Sequence, residues 1–398
     1  MTQTDGRPAM QAGPLEPEDL QLAARLWRTR TTRAGLQREF GLSRTALGAR
    51  LERLFGSGLV RESQHAEQSG GRPARLLEVN RDYGVVAAVD IGERHSQIVL
   101  CSLDPDVVAR REVSLQLDAG PEAILDFIAA TVEDLLEERG AGRPELICVG
   151  LALPAPVDFA AGRVTGYSVL QGWDGFDIRA RLGARLGVPI LVENDVNAMA
   201  VAEKTRMWPD TQSLFYVKVG TGIGSAIFTN GALYHGAQGA AGDIGHIQLD
   251  GHGEPLCRCG NRGCVEALTA GWAIVRDLGD QGATDTETIV RLATAGNPHV
   301  LESLREGGRL IGEAVAYATS LLNPEVIVIG GSLAAAGGLM LSGVRQVVYD
   351  RVLPLATRRL HLVPARVGSD AAVLGAAQLA VTSWLEQEPL RPAASAIA

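Results

Sequence analysis

Lysine is almost missing from this 398-residue chain: Lys204 and Lys218 are the only two among 37 basic residues. The bias to arginine is the kind a GC-rich genome produces and carries no mechanism of its own. Long apolar runs are missing too, which excludes a helix that spans a bilayer. The first nineteen residues hold no apolar core, which excludes a cleaved secretory signal. Cysteine is scarce, five residues in all. With nothing marking the chain as secreted, the thiols are expected to stay reduced in a cytoplasm. No coiled-coil heptad is present, so a dimer contact has to come from a globular surface. What remains is ordinary for a globular protein, 46% hydrophobic and 21% charged, with length enough for two or three domains.

The net charge of −9 is unevenly spread. Residues 20–80 hold eleven arginines against five glutamates, a balance of +6; residues 1–19 balance to −3, and the rest of the chain therefore carries −12. A basic module on an acidic body predicts a polyanion partner for that module alone. Residues 1–18 are rich in Pro, Gly and Gln and are expected to be disordered. The module is bounded at 19–80. Residues 20–28 are amphipathic at helical spacing. Residues 32–40 and 43–55 read as two helices about a tight Gly41-Leu42 turn, with Ser43 capping the second. Leu47, Leu51 and Leu54 lie on its inner face. Short apolar strands at 59–60 and 76–79 flank a polar, Gly-rich tip at 69–73. Three helices followed by a hairpin describe a winged helix-turn-helix.

In that motif the start of the second helix enters the major groove of double-stranded DNA. Ser43, Arg44 and Thr45 occupy the start, and Arg50 follows one and a half turns on. Arg44 has the reach to pair bidentately with a guanine. Arg28, Arg30 and Arg33 are candidate phosphate contacts, which position without specifying. The alternative for each is a solvated surface residue. Such regulators act as symmetric dimers on paired half-sites, so a homodimer or dimer of dimers is expected.

After residue 80, apolar strands alternate with helices, which argues an α/β fold. Strands are predicted at 85–90, 96–102, 107–117, 146–151, 189–192, 214–219, 224–229 and 326–329, and helices at 122–139, 197–206, 265–278, 303–322 and 371–385. Two glycine turns follow apolar strands far apart in sequence. They predict two similar lobes about one cleft: 81–193, closed by a helix at 371–386, and 194–370, followed by a frayed tail at 387–398.

Three cysteines fall within eight residues as Cys257-Arg-Cys-Gly-Asn-Arg-Gly-Cys264, with His246 one short hairpin upstream. Thiolate and imidazole are the ligands zinc prefers, and four make a closed tetrahedral structural site. His246, Cys257, Cys259 and Cys264 are therefore the candidate ligands of one Zn²⁺, with Gly260 and Gly263 supplying the unusual backbone angles a wrapping loop needs. Three free thiols are the alternative. Cys101 and Cys148, in apolar strands, read as buried small hydrophobes. Gly220-Thr221-Gly222-Ile223-Gly224 between two strands is either a phosphate-cradling turn or a tight hairpin. Asp195, at a strand end, is either a general base for a hydroxyl or a helix N-cap.

Taken together, Glu193-Asn194-Asp195-x-Asn197, the GTGIG turn, Gly242-Asp-Ile-Gly-His246 and the Cys-x-Cys-Gly-x-x-Gly-Cys-x-Glu run resemble the ROK family. That family groups bacterial sugar kinases with transcriptional repressors on a duplicated actin/hexokinase-like (ribonuclease H-like) α/β fold. The resemblance runs from about residue 20 to 385. It implies that His246, Cys257, Cys259 and Cys264 hold zinc and that Asn194, Asp195 and Glu266 contact a sugar, with His246 and Asp243 beside it. In kinases Asp195 would be the base. The wing segment Gly70-Gly71-Arg72-Pro73 resembles that of ROK repressors, which implies that Arg72 enters a minor groove.

The chain also departs from the family. Kinases of this type carry Asp-x-Gly-Gly-Thr at the first turn, where this chain has Asp90-Ile91-Gly92-Glu93-Arg94. Glu93 sets negative charge where a triphosphate would lie, so the chain is expected not to be an enzyme and Gly220, Thr221, Gly222 and Gly224 to be a remnant. Ala155, Val169 and Asp243 stand where the family more often has Gly, Asn and Glu. The reading is a sugar- or sugar-phosphate-responsive DNA-binding repressor of carbohydrate genes. Its alternatives are an ATP-dependent sugar kinase fused to a DNA-binding domain and a ligand-blind DNA-binding protein.

Overall fold

The computed structural model describes residues 15–67, 74–93, 95–140, 145–166 and 170–387. The N-terminal module is α1 (Pro17–Arg28), β1 (Thr31–Thr32), α2 (Arg33–Phe40), α3 (Arg44–Ser57), β2 (Val60–Glu67) and β3 (Ala74–Val79), with sheet order β1-β3-β2. Helix α1 starts at Pro17, not at residue 20, so residues 17–18, expected to be disordered, are helical. The cause is local: proline is preorganised for the first helical turn, and Glu16 and Asp19 form a reciprocal capping box. The Ser43 side chain accepts from the Ala46 N–H and caps α3 as expected. The wing tip at 69–73, with Arg72, lies outside the described residues.

The first lobe contains β4 (Val85–Asp90), β5 (Ser96–Cys101), β6 (Val107–Val113), α4 (Pro121–Glu138), β7 (Leu146–Leu153), β8 (Val157–Asp158), β9 (Arg163–Val164), α5 (Ile178–Leu186), β10 (Ile190–Asn194) and α6 (Asp195–Met207). The second contains β11 (Leu214–Val219), β12 (Ile223–Thr229), β13 (Ala232–Leu233), α7 (Val265–Thr269), α8 (Gly271–Leu278), α9 (Thr286–Thr294), α10 (Pro298–Leu322), β14 (Val326–Gly330), α11 (Leu339–Arg351), α12 (Pro354–Thr357) and β15 (His361–Pro364), and α13 (Ala371–Glu386) ends the described chain. The two main sheets run β10-β7-β4-β5-β6 and β13-β12-β11-β14-β15. In each, an antiparallel meander supplies three strands and two parallel strands add beside the first of them. The topology is the same twice, which is the duplication the two glycine turns suggested.

Helices α4 and α5 cover one face of the first sheet, where Ile124, Ile128, Val132 and Leu182 meet Val89, Leu100 and Leu151. Helix α13 covers the other face. There Leu22, Leu36, Leu54 and Leu77 of the N-terminal module join Val86, Ala376, Val381 and Leu385 in one continuous core. The module is therefore welded to the first lobe. Trp27 Nε1 donates to the Leu103 carbonyl at 3.2 Å, Tyr83 stacks on Trp384 with ring centroids 6.2 Å apart, and Arg28 pairs with Glu386.

Two further expectations change. The helix predicted at 265–278 is broken at Ala270 because the Gly271 and Trp272 N–H groups leave the helical ladder and donate to the Gly220 and Thr221 carbonyls at 2.9 and 3.2 Å. The strand predicted at 107–117 ends at Val113, and 117–119 form a single 3-10 turn.

Candidate functional site

The predicted site residues gather around the C-terminal ends of β4, β10 and β11. Helix α6 begins one residue after β10, and its cap is Asn194, not Asp195. The Asn194 side-chain oxygen accepts from the Val196 and Asn197 N–H groups at 2.9 and 3.3 Å, and its amide donates to the Ala155 carbonyl at 3.0 Å. Asn194 thus serves the backbone on both sides. Asp195 is the first helical residue, where an acid is favoured by the helix dipole, and its carboxylate is paired with the Lys218 ammonium.

Sequence reasoning missed Lys218. The available signal was one of the chain's two lysines placed in an otherwise apolar strand, Leu-Phe-Tyr-Val-Lys-Val. Although burial disfavours its charge, Asp195, Asp90 and Glu93 hold Lys218 above the usual lysine range. Burial and the Asp195 carboxylate push the Asp90 carboxyl up to about 7, with Lys218 pulling the other way.

The buried Glu193 was also missed as an organiser. Its Oε1 accepts from the Asn194 N–H at 2.8 Å and the Asn197 amide at 2.9 Å, and its Oε2 pairs with His235 Nε2 at 2.7 Å. The His235 ring stacks on Phe159, with centroids 4.4 Å apart. Glu193 therefore ties the start of α6 to a loop of the second lobe and an aromatic of the first.

The GTGIG turn is filled by protein. Glu266 Oε2 accepts the Ile223 N–H at 3.1 Å, and Oε1 accepts Trp272 Nε1 at 3.1 Å. Gly222 permits this, since a Cβ there would lie 2.9 Å from Glu266 Oε2. Gly220 donates to the Gly222 carbonyl at 3.0 Å, and the Thr221 hydroxyl lies 3.2 Å from that of Thr286. Gly224 faces Val196 of α6.

His246, Cys257, Cys259 and Cys264 come together: one ligand atom from each lies within 4.8 Å of all the others. His246 Nδ1 is 3.6 Å from Cys257 Sγ, and Cys259 Sγ is 3.8 Å from Cys264 Sγ. Tetrahedral sulfurs at the usual zinc–sulfur bond length would lie about 3.8 Å apart, so the donor set fits a metal ion. Gly260 and Gly263 sit at φ of 91° and 72°, in the left-handed region that wrapping requires. Burial, with the neighbouring Cys259 and Cys257, pushes Cys264 up to about 12, and burial raises Cys257 as well. A bound cation would reverse that crowding of thiols. The other imidazole nitrogen, Nε2, is 4.0 Å from Asp243 Oδ1. Desolvation raises the Asp243 carboxyl, with His246 opposing and Glu266 adding to the shift. Arg258, between two of the cysteines, lies over the Trp272 ring at 5.0 Å and 3.6 Å from Glu93 of the first lobe.

At the N-terminal module, Ser43, Arg44 and Thr45 are exposed at the start of α3 and Arg50 is partly exposed. The arginines of the module divide into two groups. Arg25, Arg28, Arg30, Arg33, Arg53, Arg61 and Arg75 all meet carboxylates. Arg38, Arg44 and Arg50 have no carboxylate partner among the described residues. Val169 and Arg94 lie outside the described residues.

The ROK family model matches residues 86–383. The chain belongs to the ROK family. Among relatives, the xylose repressor of Bacillus subtilis is 25% identical over 357 residues, covering 89% of this chain and 92% of the relative. A solved ROK family transcriptional regulator, described as a homologue of the E. coli MLC protein, superposes with a TM-score of 0.77 at 23% identity and covers 93% of this chain and 97% of its own. A ROK family glucokinase from Streptomyces griseus, solved with glucose and AMPPNP, has a TM-score of 0.63 at 28% identity, covering 75% of this chain but 99% of its own. This ROK chain is thus a glucokinase-sized α/β body with additional sequence. Among the described residues no helix is long and apolar enough to cross a membrane.

Proposed function

We propose that this ROK protein is a sugar-responsive transcriptional repressor of carbohydrate genes, a DNA-binding module at 19–80 joined to a carbohydrate cleft between two lobes. The observation that carries the DNA half is the division of the arginines. Seven meet nearby acids, while Arg44, at the exposed start of α3, and Arg50, partly exposed further along the same helix, have no carboxylate partner among the described residues and keep their charge for base edges and phosphates. Helix α3 follows α2 across a three-residue turn with Gly41 in the left-handed conformation, which supports a helix-turn-helix. In this reading Ser43 and Thr45 flank Arg44 in the major groove, Arg33 contacts a phosphate by releasing its loose 3.7 Å pair with Glu62, and Arg72 reaches the minor groove. Two copies on paired half-sites are implied, joined through their α/β bodies.

In the cleft, Asp195, Asp243, His246 and Glu266 are the proposed sugar contacts, with Asn194 fixing the start of α6 beneath them. His246, Cys257, Cys259 and Cys264 are proposed to hold one Zn²⁺, which when bound fixes the loop that ends at Glu266. That carboxylate is already oriented by Ile223 and Trp272, so its free lone pairs are aimed before a ligand arrives.

A mobility-shift titration of the full-length protein on its own promoter DNA, at stated salt, tests the DNA half. We expect a salt-sensitive shift that the Arg44→Ala variant weakens. No shift from the intact protein would sink the reading. A thermal-shift screen over neutral sugars and sugar phosphates tests the cleft, since a ligand raises stability by mass action.

A further inference from the structure

Arg258 is a group that the reading of the cleft leaves unused. It lies between Cys257 and Cys259, so a bound metal would fix the backbone on both sides of it. Its guanidinium sits 5.0 Å from the centroid of the Trp272 ring and 3.6 Å from Glu93 Oε1 in the turn after β4. Trp272 in turn holds both a side chain and a turn of the second lobe. Its indole Nε1 donates to Glu266 Oε1 at 3.1 Å, and its backbone N–H donates to the Thr221 carbonyl at 3.2 Å. The two glycine turns, one from each lobe, are therefore joined through protein alone, by way of Glu93, Arg258 and Trp272. Arg276 also lies over the indole, at 5.5 Å, but its partners, Asp277 and the Ala267 carbonyl, belong to the second lobe.

We propose that Arg258 is a positioning residue that sets the Glu266 wall of the cleft against the first lobe, with Glu93 as its receiver there. A planar guanidinium can stack on an indole and still donate from its edge, so one side chain serves both contacts. An isolated ion pair between partly exposed groups contributes little. Here the stack orders the arginine beforehand, so less side-chain freedom is lost when Glu93 is met. The arrangement also gives the thiol loop a reach beyond its own lobe, because whatever orders Cys257 and Cys259 orders the donor to Glu93. For a ligand held by Glu266 on one wall and Asp195 on the other, the spacing of the walls is the selective quantity, and Arg258 fixes it without touching the ligand. The inference rests on the carbohydrate reading only for the identity of that ligand.

Hydrogen exchange of the full-length protein tests it at residues 91–93, where the Ile91 N–H donates to the Ala152 carbonyl at 3.0 Å and the Gly92 N–H to the Ser96 hydroxyl at 3.3 Å. Glu93→Gln and Arg258→Gln are each expected to speed exchange there about two- to fivefold, and the double variant no further. Arg258→Lys, which keeps the charge, is expected to recover part of the protection. Removing metal with a chelator, verified by metal analysis, is expected to speed exchange at 91–93 in wild type and to add nothing in Glu93→Gln. Unchanged exchange in both single variants would overturn the proposal, as would effects that simply multiply in the double variant. Glu93→Gln lies outside the thiol loop and judges the contact even if Arg258→Gln disturbs that loop. A protein that carries no metal strikes the zinc reading, and a sugar panel that gives no thermal shift strikes the carbohydrate reading, while the variants judge Arg258 in either case.

Discussion

Gly375 in α13 and Gly48 in α3 both sit inside helices, yet the same substitution to alanine should move stability in opposite directions. A Cβ on Gly375 would lie 2.5 Å from the carbonyl carbon and 3.0 Å from the Cα of Ala198 in α6, with the carbonyl oxygen nearer still. Relaxed carbon–carbon contacts fall at about 3.5–4.0 Å, so α6 and α13 would have to part by about 1 Å. The obstacle is backbone, and no rotamer change clears it. Overpacking of this kind costs about 1–3 kcal/mol. Gly48 has nothing within 4 Å of its would-be Cβ, so alanine there removes only the entropic penalty of glycine, a gain of about 0.5–1 kcal/mol. The two variants should differ by about 1.5–4 kcal/mol. Urea denaturation followed by tryptophan fluorescence reads both, as a lower midpoint for Gly375→Ala and a higher one for Gly48→Ala. A Gly375→Ala protein with the wild-type midpoint would refute the close approach of the two helices.

Arg44→Ala should weaken operator binding by about 1–3 kcal/mol per DNA-reading head, seen in mobility-shift titrations, whereas Arg30→Ala should leave affinity nearly unchanged because Glu78 already holds that guanidinium at 2.8 Å. Stripping metal with a chelator, or replacing Cys264 by Ser, should lower the melting temperature and blunt the thermal shift given by any sugar that binds. Unchanged melting after a chelator treatment verified by metal analysis would refute a structural ion. Asp90 is held near 7 in the fold, against about 3.9 in an unfolded chain. The native state thus keeps a proton that the unfolded chain gives up, and the stability this contributes is full below about pH 4 and lost as pH rises through about 7. Asp90→Asn should flatten that part of the pH–stability profile, measured as urea midpoints between pH 5 and 8, and an unaltered slope would count against the raised carboxyl.

Legibility followed locality. The strands at 85–90 and 214–219 could be read because each is a short apolar run ended by an acid or a glycine, and both appear with those bounds. The thiol cluster could be read because its spacing is itself the geometry of a loop. The capping of α3 by Ser43 is likewise contained in four residues. Helix α5 was not predicted, nor was α11, whose contact with α10 depends on small residues such as Gly308, Gly312 and Gly343 that bring two backbones together. Such glycines carry no hydrophobic period. The break at Ala270 was hidden for a related reason: the helix stops because the Gly220 and Thr221 carbonyls, fifty residues upstream, take its N–H groups.

The same distinction separates the two halves of the cleft. Glu266, Asp195 and the GTGIG turn could be named as motifs, but their use could not, because it depends on what fills them. In the fold the glycine turn seats the Glu266 carboxylate and the start of α8, and Asp195 faces a lysine supplied by another strand. A motif lists groups that are able to bind an anion or a cation; only the neighbours decide whether that capacity is already spent. Glu93 alone suggested a damaged phosphate turn by repulsion. In the fold that carboxylate lies 3.6 Å from Arg258 of the thiol loop, so part of its charge is already compensated from the second lobe.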